Sequence, residues 1–291
     1  MSRQIARAKI NLTLHVGQVI NAADDPFAGY HPLDSLVVFA DIADIITVQP
    51  AQKTTLILTG PFAGKLDSSP DNLILKAYNS VAKRADLPPL SFHLEKRLPV
   101  AAGLGGGSAN AAAALRGLMD YADLPAEDWQ DIALSLGADV PVCLLSRSAH
   151  MTGIGGDVSP LIGLGTWPGV LLNPAVAVPT GPIFARFDQQ TGQAAPTPKP
   201  RPQNMAGDLL ARTLAGQNDL EAAAIQSQPI ISSALRELSI QPGCQIARMS
   251  GSGASCFALF ERKAHAEAAA KTLSARHPHW WVTPALFGEP A

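Results

Sequence analysis

Residues 99–110 read Pro-Val-Ala-Ala-Gly-Leu-Gly-Gly-Gly-Ser-Ala-Asn, and an alanine-rich stretch with helical spacing follows directly. Four of the five positions from 103 to 107 are glycine, which has no Cβ and lets the backbone approach a ligand closely. A helix beginning just after such a loop directs its unpaired N–H groups and the positive end of its dipole into the same space. The stretch therefore predicts an anion site, best suited to a phosphate, with a flexible turn as the alternative.

The loop differs from two common nucleotide-binding loops. A P-loop needs Gly, four residues and then Gly-Lys-Ser/Thr, whereas Ser108 stands five residues after Gly103 with no lysine following it. A dinucleotide-binding loop follows a buried run of Val and Ile, whereas residues 90–94 alternate between apolar and polar, as in a half-buried strand. Lys96 and Arg97 end that strand and predict added attraction for a polyphosphate, although a solvated charge explains Arg97 equally well.

Composition limits the class of protein. The chain has 291 residues, enough for two domains with a sizeable core, and its net charge of −2 argues against nucleic-acid or anionic-membrane binding. No apolar run approaches the roughly 18 residues of a membrane span, and residues 1–11 do not have the pattern of a signal peptide. The widely spaced Cys143, Cys244 and Cys256 predict no disulfide framework or zinc site and fit a reducing cytoplasm. No metal site is expected from the histidines.

Hydrophobic periodicity predicts strands and helices in clusters rather than in strict alternation, which favours an α+β fold. The predicted strands are 6–16, 36–40, 42–48, 54–59, 90–94, 170–178, 246–249, 256–260 and 280–282. The predicted helices are 71–86, 109–121, 126–136, 206–215, 219–226, 229–238 and 264–275. The proline-rich segment 188–203 predicts a mobile loop. We expect two domains, 1–155 and 156–291.

Three segments, taken in order, resemble the three motifs of the GHMP kinases, the galactokinase, homoserine, mevalonate and phosphomevalonate kinases. They are Ala8-Lys-Ile-Asn11, Gly103-Leu-Gly-Gly-Gly-Ser-Ala-Asn110 and Ser250-Gly-Ser-Gly-Ala-Ser255. The match spans nearly the whole chain. It implies a two-domain α+β GHMP-kinase fold with the active site in the cleft between the domains. It also implies ATP as the phosphoryl donor, with Mg²⁺ that no dedicated protein cluster holds.

Four further segments resemble the family members that act on a cytidyl-linked sugar alcohol. They are Gly29-Tyr-His31, Lys96-Arg-Leu-Pro99, Gly137-Ala-Asp-Val-Pro141 and Pro179-Thr-Gly-Pro-Ile-Phe184. The resemblance implies phosphorylation of the 2-hydroxyl of 4-diphosphocytidyl-2-C-methyl-D-erythritol, a step of the non-mevalonate route to isoprenoid precursors. It leads us to expect a cytoplasmic enzyme, a monomer or weak homodimer, with small-molecule substrates and no nucleic-acid or membrane partner.

The chain departs from the family pattern at two places. Many relatives have Gly-Gly or Ala-Gly where this chain has Ala101-Ala102, and two serines where it has Ser108-Ala109, so Ser108 is the only loop hydroxyl for phosphate or Mg²⁺. The loop before Tyr30 is long, with Asp24-Asp-Pro-Phe27 inserted.

The resemblance assigns a role to each matched residue. Asp139 is the implied catalytic carboxylate, with Lys9 as its partner. The implied ligands of the acceptor substrate are Asn11, Tyr30, His31, Lys96 and Phe184. The implied ATP-binding residues are Pro99, Val100, Ala101, Ala102, Gly103, Leu104, Gly105, Gly106, Gly107, Ser108 and Ala109.

Physical chemistry supports these roles and leaves alternatives beside them. A carboxylate near the acceptor hydroxyl takes its proton, and a lysine beside it keeps it ionised. Asp139 equally suits the cap of a helix that begins near Val140-Pro141, and Lys9 suits a solvated strand position. Tyr30 and Phe184 suit stacking on the two faces of a cytosine, or an ordinary core.

Two other functions stay open. A different GHMP kinase, acting on homoserine, mevalonate or a sugar, shares the loops but needs no pyrimidine clamp. A non-catalytic binding protein with this fold would have lost Lys9 or Asp139, and both are present. The segment 250–255 either contacts the diphosphate of the substrate or serves as a tight turn.

Overall fold

The computed structural model describes residues 1–21, 24–192 and 209–288, and the structural statements below concern these residues. Their strands are β1 Ser2–Asn11, β2 His15–Val16, β3 Leu33–Pro50, β4 Thr55–Thr59, β5 Leu90–Glu95, β6 Ala149–Gly153, β7 Asp157–Pro160, β8 Thr166–Asn173, β9 Cys244–Met249, β10 Cys256–Phe260 and β11 Trp281–Gly288. Their α-helices are α1 Leu73–Ala82, α2 Gly106–Leu118, α3 Ala126–Leu136, α4 Val140–Leu145, α5 Thr180–Thr191, α6 Leu209–Leu214, α7 Glu221–Ser227, α8 Ile230–Ser239 and α9 Lys263–Arg276.

The chain forms two compact units that are interleaved in sequence. Unit 1 comprises Met1–Lys9, Ile42–Val100 and Gly105–Ser146, and unit 2 comprises Ile10–Asp41, Ala101–Leu104 and the described residues from Arg147 onward. The units differ from the continuous domains expected from the sequence, because β1 and β3 each belong partly to both units. The expected division after residue 155 falls in the turn between β6 and β7, which pair with each other.

Unit 1 combines a small sheet with helices α1 to α4. Strand β5 pairs antiparallel with the second half of β3 and parallel with β4. Its apolar residues Leu90, Phe92 and Leu94 are buried, which confirms the predicted half-buried strand. Helix α2 buries an unbroken run of four alanines from residue 111, and such small side chains let α1 and α4 pack closely against it.

Unit 2 is built on an antiparallel sheet. The first half of β3 pairs with β11, and the order then runs through β8 and β10 to β9. Helices α7, α8 and α9 contribute buried residues to the same core as the inward faces of β8 and β10. Alternation along β8 and β10 places Val170, Leu172, Cys256, Ala258 and Phe260 in this core.

Several element boundaries predicted from the sequence are wrong. The two strands predicted at 36–40 and 42–48 are one strand, β3, because the carboxylate of Asp41 accepts a hydrogen bond from the Leu286 N–H (2.8 Å). The strand predicted at 170–178 is β8, which ends at residue 173. Residues 188–191, predicted as loop, end helix α5, whereas 193–203 lie outside the described residues.

Proline and glycine concealed α5 from the sequence analysis. Gly181 and Pro182 stand in its first turn, where proline is tolerated because the first N–H groups of a helix have no intrahelical partner. Hairpin β6–β7 was also missed. Within the described ranges, no helix has the length and apolar character to cross a membrane.

Candidate active site

The glycine loop of unit 1 becomes the first turn of a helix. Gly105 precedes α2 with a φ of +60°, Gly106 begins the helix, and the Ala109 N–H donates to the carbonyl of Gly105 (2.8 Å). The predicted helix start at 109 is therefore wrong by three residues, because glycine's low helix propensity hides this turn in the sequence. The N–H groups of Gly106, Gly107 and Ser108 precede any intrahelical acceptor, so this helix end can bind an anion.

Two lysine side chains pack against the same turn. A Cβ atom added to Gly105 would lie 3.0 Å from Cε and 3.1 Å from Cβ of Lys9. A Cβ atom added to Gly106 would lie 3.0 Å from Nζ of Lys96. Glycine is needed at both positions because these side chains occupy the space that a larger residue would fill.

Lys9 and Asp139 form an ion pair inside unit 1. The Lys9 Nζ lies 2.9 Å from Oδ1 of Asp139, and the Lys9 side chain is 4% exposed against 37% for that of Asp139. Asp139 occupies the N-cap position of α4, but its side chain makes no capping hydrogen bond. The carboxylate is thus held by Lys9 and not by the helix, and part of it is accessible to a substrate.

Arg116 fastens the two elements that carry this pair. Its guanidinium donates to the carbonyl of Ile5 on β1 (2.6 Å) and to that of Cys143 on α4 (2.8 Å). Burial, and then the charge of Asp139, raises the pKa of the Cys143 thiol to about 12, so this sulfur stays protonated beside the pair. The sequence analysis missed Arg116, since an arginine in an alanine-rich helix carries no motif.

A buried carboxylate lies beneath the first turn of α2. Asp44 pairs with Lys96, and both side chains are almost completely buried. Its Oδ1 accepts from the N–H groups of Arg97 (2.7 Å) and Leu98 (2.8 Å). In the amide orientation that satisfies both of its polar atoms, Asn110 donates to Asp44 Oδ2 and to the carbonyl of Gly106, each at 2.8 Å.

These contacts place Lys96, a predicted substrate ligand, in a buried ion pair. Arg97 instead bonds to exposed Glu95 (2.8 Å), as expected for a solvated charge. Asp44 was missed by the sequence analysis. The available signal was one carboxylate among the apolar residues of β3.

In unit 2 the second glycine turn contacts the first half of the glycine loop. The Ser250 hydroxyl accepts from the Asn11 N–H and donates to the carbonyl of Gly103, each at 3.1 Å. The Ser255 N–H donates to the carbonyl of Ala102 (3.1 Å). A Cβ atom added to Gly103 would lie 2.6 Å from the carbonyl oxygens of Ser250 and Gly253, so this contact requires glycine. The side chain of Asn11 is oriented by Ser35, to whose hydroxyl it donates (2.8 Å).

Unit 2 also brings together two of the three predicted nucleobase ligands. The His31 ring lies 4.8 Å from the ring of Phe184 between centroids, and His31 Nε2 lies 2.8 Å from Oδ1 of Asp188. Tyr30 is 50% exposed and meets Phe27 edge-on, at 6.4 Å between centroids. Asp188 stands four residues after Phe184 on α5, and the sequence analysis missed it because it was placed in a loop.

Comparison with known proteins gives consistent matches. The family model described as the GHMP kinases N terminal domain matches residues 72–147, and the GHMP kinases C terminal model matches residues 204–279. A 4-diphosphocytidyl-2-C-methyl-D-erythritol kinase of Dinoroseobacter shibae is 48% identical over 284 residues, which are 97% of this chain and 93% of that protein. A protein of the same name from Methylobacterium radiotolerans is 48% identical over 289 residues, which are 97% of each chain.

Solved structures agree with these relatives. A crystal structure of 4-(cytidine 5'-diphospho)-2C-methyl-D-erythritol kinase has a TM-score of 0.75 and 31% identity, and covers 99% of this chain and 100% of its own. A homoserine kinase of Cytophaga hutchinsonii has a TM-score of 0.69 at 16% identity, covering 99% of this chain and 94% of its own. The second likeness is one of fold alone.

Proposed function

This chain belongs to the GHMP kinase family, and we propose that it transfers the γ-phosphoryl group of ATP to the 2-hydroxyl of 4-diphosphocytidyl-2-C-methyl-D-erythritol. The products are the 2-phosphate and ADP, in the non-mevalonate route to isoprenoid precursors. Family membership and the α+β fold predicted from the sequence are confirmed. The observation that carries the chemistry is the Lys9–Asp139 ion pair against the glycine turn of α2.

The ATP phosphates bind at the start of α2. The N–H groups of Gly106, Gly107 and Ser108 donate to phosphate oxygens, and the helix dipole adds its positive end. The matched residues 99–105 complete the predicted loop. ATP brings Mg²⁺, which neutralises phosphate charge, and the Ser108 hydroxyl and Asp139 carboxylate are oxygen donors of the kind that this ion prefers.

Asp139 and Lys9 act on the acceptor hydroxyl. The hydroxyl oxygen forms a bond to the γ-phosphorus while the bond from that phosphorus to the β,γ-bridging oxygen breaks, and the electron pair leaves with ADP. The hydroxyl proton passes to the Asp139 carboxylate. Lys9 keeps that carboxylate ionised until the transfer, because an adjacent cation favours the charged form of an acid.

The nucleobase end of the acceptor binds to unit 2. Phe184 and Tyr30 stack on the cytosine, His31 bonds to its edge, and Asn11 bonds to the acceptor. Lys96 contributes positive charge close to the loop. The contact of His31 with Phe184 supports this assignment.

We also propose that the enzyme works in the cytoplasm, as a monomer or weak homodimer. Its three cysteines are free thiols, and Cys143 and Cys256 are buried. Unpaired cysteines of this kind are typical of a reducing compartment.

The substrate is tested by an ADP-release assay with three acceptors. We expect ATP-dependent ADP formation with 4-diphosphocytidyl-2-C-methyl-D-erythritol, and at least about 10³-fold lower kcat/KM with homoserine or mevalonate, which cannot fill a nucleobase pocket. Reactions without acceptor measure the background ATPase. Turnover of homoserine or mevalonate in place of the cytidyl compound would overturn the proposed substrate.

Gly105→Ala is expected to lower kcat by about 10- to 100-fold. Alanine at a φ of +60° is strained by about 1–2 kcal/mol, and its methyl group pushes the Lys9 side chain away from Asp139. The matched control is Gly64→Ala, where the added methyl group has no atom within 4 Å. Steady-state kcat is measured for both variants with both substrates saturating. Equal rates would show that Lys9 does not depend on the space at Gly105.

A further inference from the structure

The His31 ring is held in one orientation by its neighbours in unit 2. Its side chain is 7% exposed, and the rings of Phe184 and Phe187 lie 4.8 and 6.4 Å away between centroids. Asp188, one helical turn after Phe184, lies with Oδ1 2.8 Å from His31 Nε2. The ring plane is therefore set by packing, and one edge of the ring by a carboxylate.

The carboxylate decides which ring nitrogen carries the proton. An ionised carboxylate only accepts hydrogen bonds, so Nε2 must be the donor in this contact. In a neutral imidazole the other nitrogen, Nδ1, is then an acceptor. Within the described residues, nothing hydrogen-bonds to Nδ1. The structure thus presents an acceptor where the proposed substrate places its nucleobase edge.

We infer that Asp188 is a positioning residue that fixes the tautomer of His31 and thereby makes the substrate pocket select cytosine over uracil. Cytosine carries an exocyclic amine at ring position 4, whose N–H donates to Nδ1. Uracil carries a carbonyl oxygen there, and two acceptors facing each other leave both unpaired. The inference rests on the proposed function, because it assumes that His31 meets the base.

The size of the effect follows from one hydrogen bond gained or lost. A single missing hydrogen bond in a desolvated pocket lowers affinity by about 10- to 100-fold. Without the Asp188 carboxylate, the two neutral tautomers of His31 become comparable in energy, and the protonated nitrogen serves the uracil carbonyl. Loss of Asp188 should therefore weaken cytosine binding and strengthen uracil binding relative to it.

The test compares the binding of CDP and UDP by calorimetry, with a non-hydrolysable ATP analogue saturating the ATP site. Wild-type protein is expected to bind CDP at least about 10-fold more tightly than UDP. Asp188→Ala is expected to bring the ratio of the two Kd values to within about 3-fold of unity, with kcat at saturating substrate nearly unchanged. The control is Gln190→Ala on the same helix, whose side chain bonds to Gln226 (3.0 Å), and it should keep the wild-type ratio.

Long-range ¹⁵N correlation spectra of His31 read the tautomer directly, and a purely structural role of Asp188 would not change them. Wild-type protein is expected to show a protonated Nε2, and Asp188→Ala a mixture of tautomers. If Asp188→Ala does not fold, Asp188→Asn, which keeps the size but not the charge, takes its place with the same expectations. Glutamate at the position restores an ionised acceptor, so Asp188→Glu should recover part of the discrimination.

The outcomes separate this inference from the proposed function. An unchanged CDP to UDP ratio without Asp188, or a wild-type protein that does not discriminate, overturns the inference even if the cytidyl substrate is turned over. Discrimination without turnover overturns the proposed function alone. Failure of the wild-type protein to bind either nucleotide overturns both.

Discussion

Asp139→Asn is expected to lower kcat by about 10³-fold while the protein stays folded. Asparagine keeps the size of the side chain, and its carbonyl oxygen still accepts a hydrogen bond from Lys9, now 2.9 Å from the carboxylate. An amide, however, cannot take the proton of the acceptor hydroxyl. The loss is measured as kcat with both substrates saturating, alongside a thermal melt that reports folding.

Two variants sharpen this result. Asp71→Asn alters an exposed ion pair with Lys76 (3.1 Å) on the surface of unit 1 and should leave kcat within about 2-fold of wild type. Asp139→Ser keeps a good helix cap but no carboxylate, so it should be as inactive as Asp139→Asn. Full activity in Asp139→Ser would assign Asp139 to helix capping, and undiminished kcat in Asp139→Asn would remove it from the chemistry.

The parts of the fold that the sequence predicts best are those with a local pattern. Alternation identified β5, and apolar spacing with a terminal glycine identified α3 with its observed bounds. The glycine density of residues 103–107 marked the anion site, although the low helix propensity of glycine concealed the first turn of α2. The pairing of Lys9 with Asp139 was expected only from the family resemblance, since nothing periodic links the two positions.

The supporting residues could not be predicted because their partners are distant in sequence. Asp44 stands 52 residues before Lys96, and Asp188 stands 157 residues after His31. A single acidic residue in a strand or helix is ordinarily a solvated charge, and only the folded chain shows what it faces. Sequence motifs thus identified the groups that meet the substrates, whereas the groups that hold them in place required the structure.

Asp44→Ala is expected to lower the free energy of unfolding by about 3–5 kcal/mol, because it leaves the Lys96 ammonium buried without its partner. It also removes the acceptor of the Arg97 and Leu98 N–H groups. Urea unfolding followed by circular dichroism measures the change. Asp71→Ala removes an exposed partner of Lys76 instead, and should cost less than about 1 kcal/mol.

The same variant also decides the role of Lys96. If the pair with Asp44 holds the first turn of α2, then Asp44→Ala raises the KM for ATP about 10-fold or more, since Asn110 and the Gly106 carbonyl lose their common anchor. The double variant Asp44→Leu/Lys96→Met replaces two buried charges by apolar groups and should recover much of the stability without restoring ATP affinity. An unchanged urea midpoint in Asp44→Ala would mean that Lys96 finds other partners at little cost. Its predicted role as a substrate ligand would then be favoured over its role as the partner of Asp44.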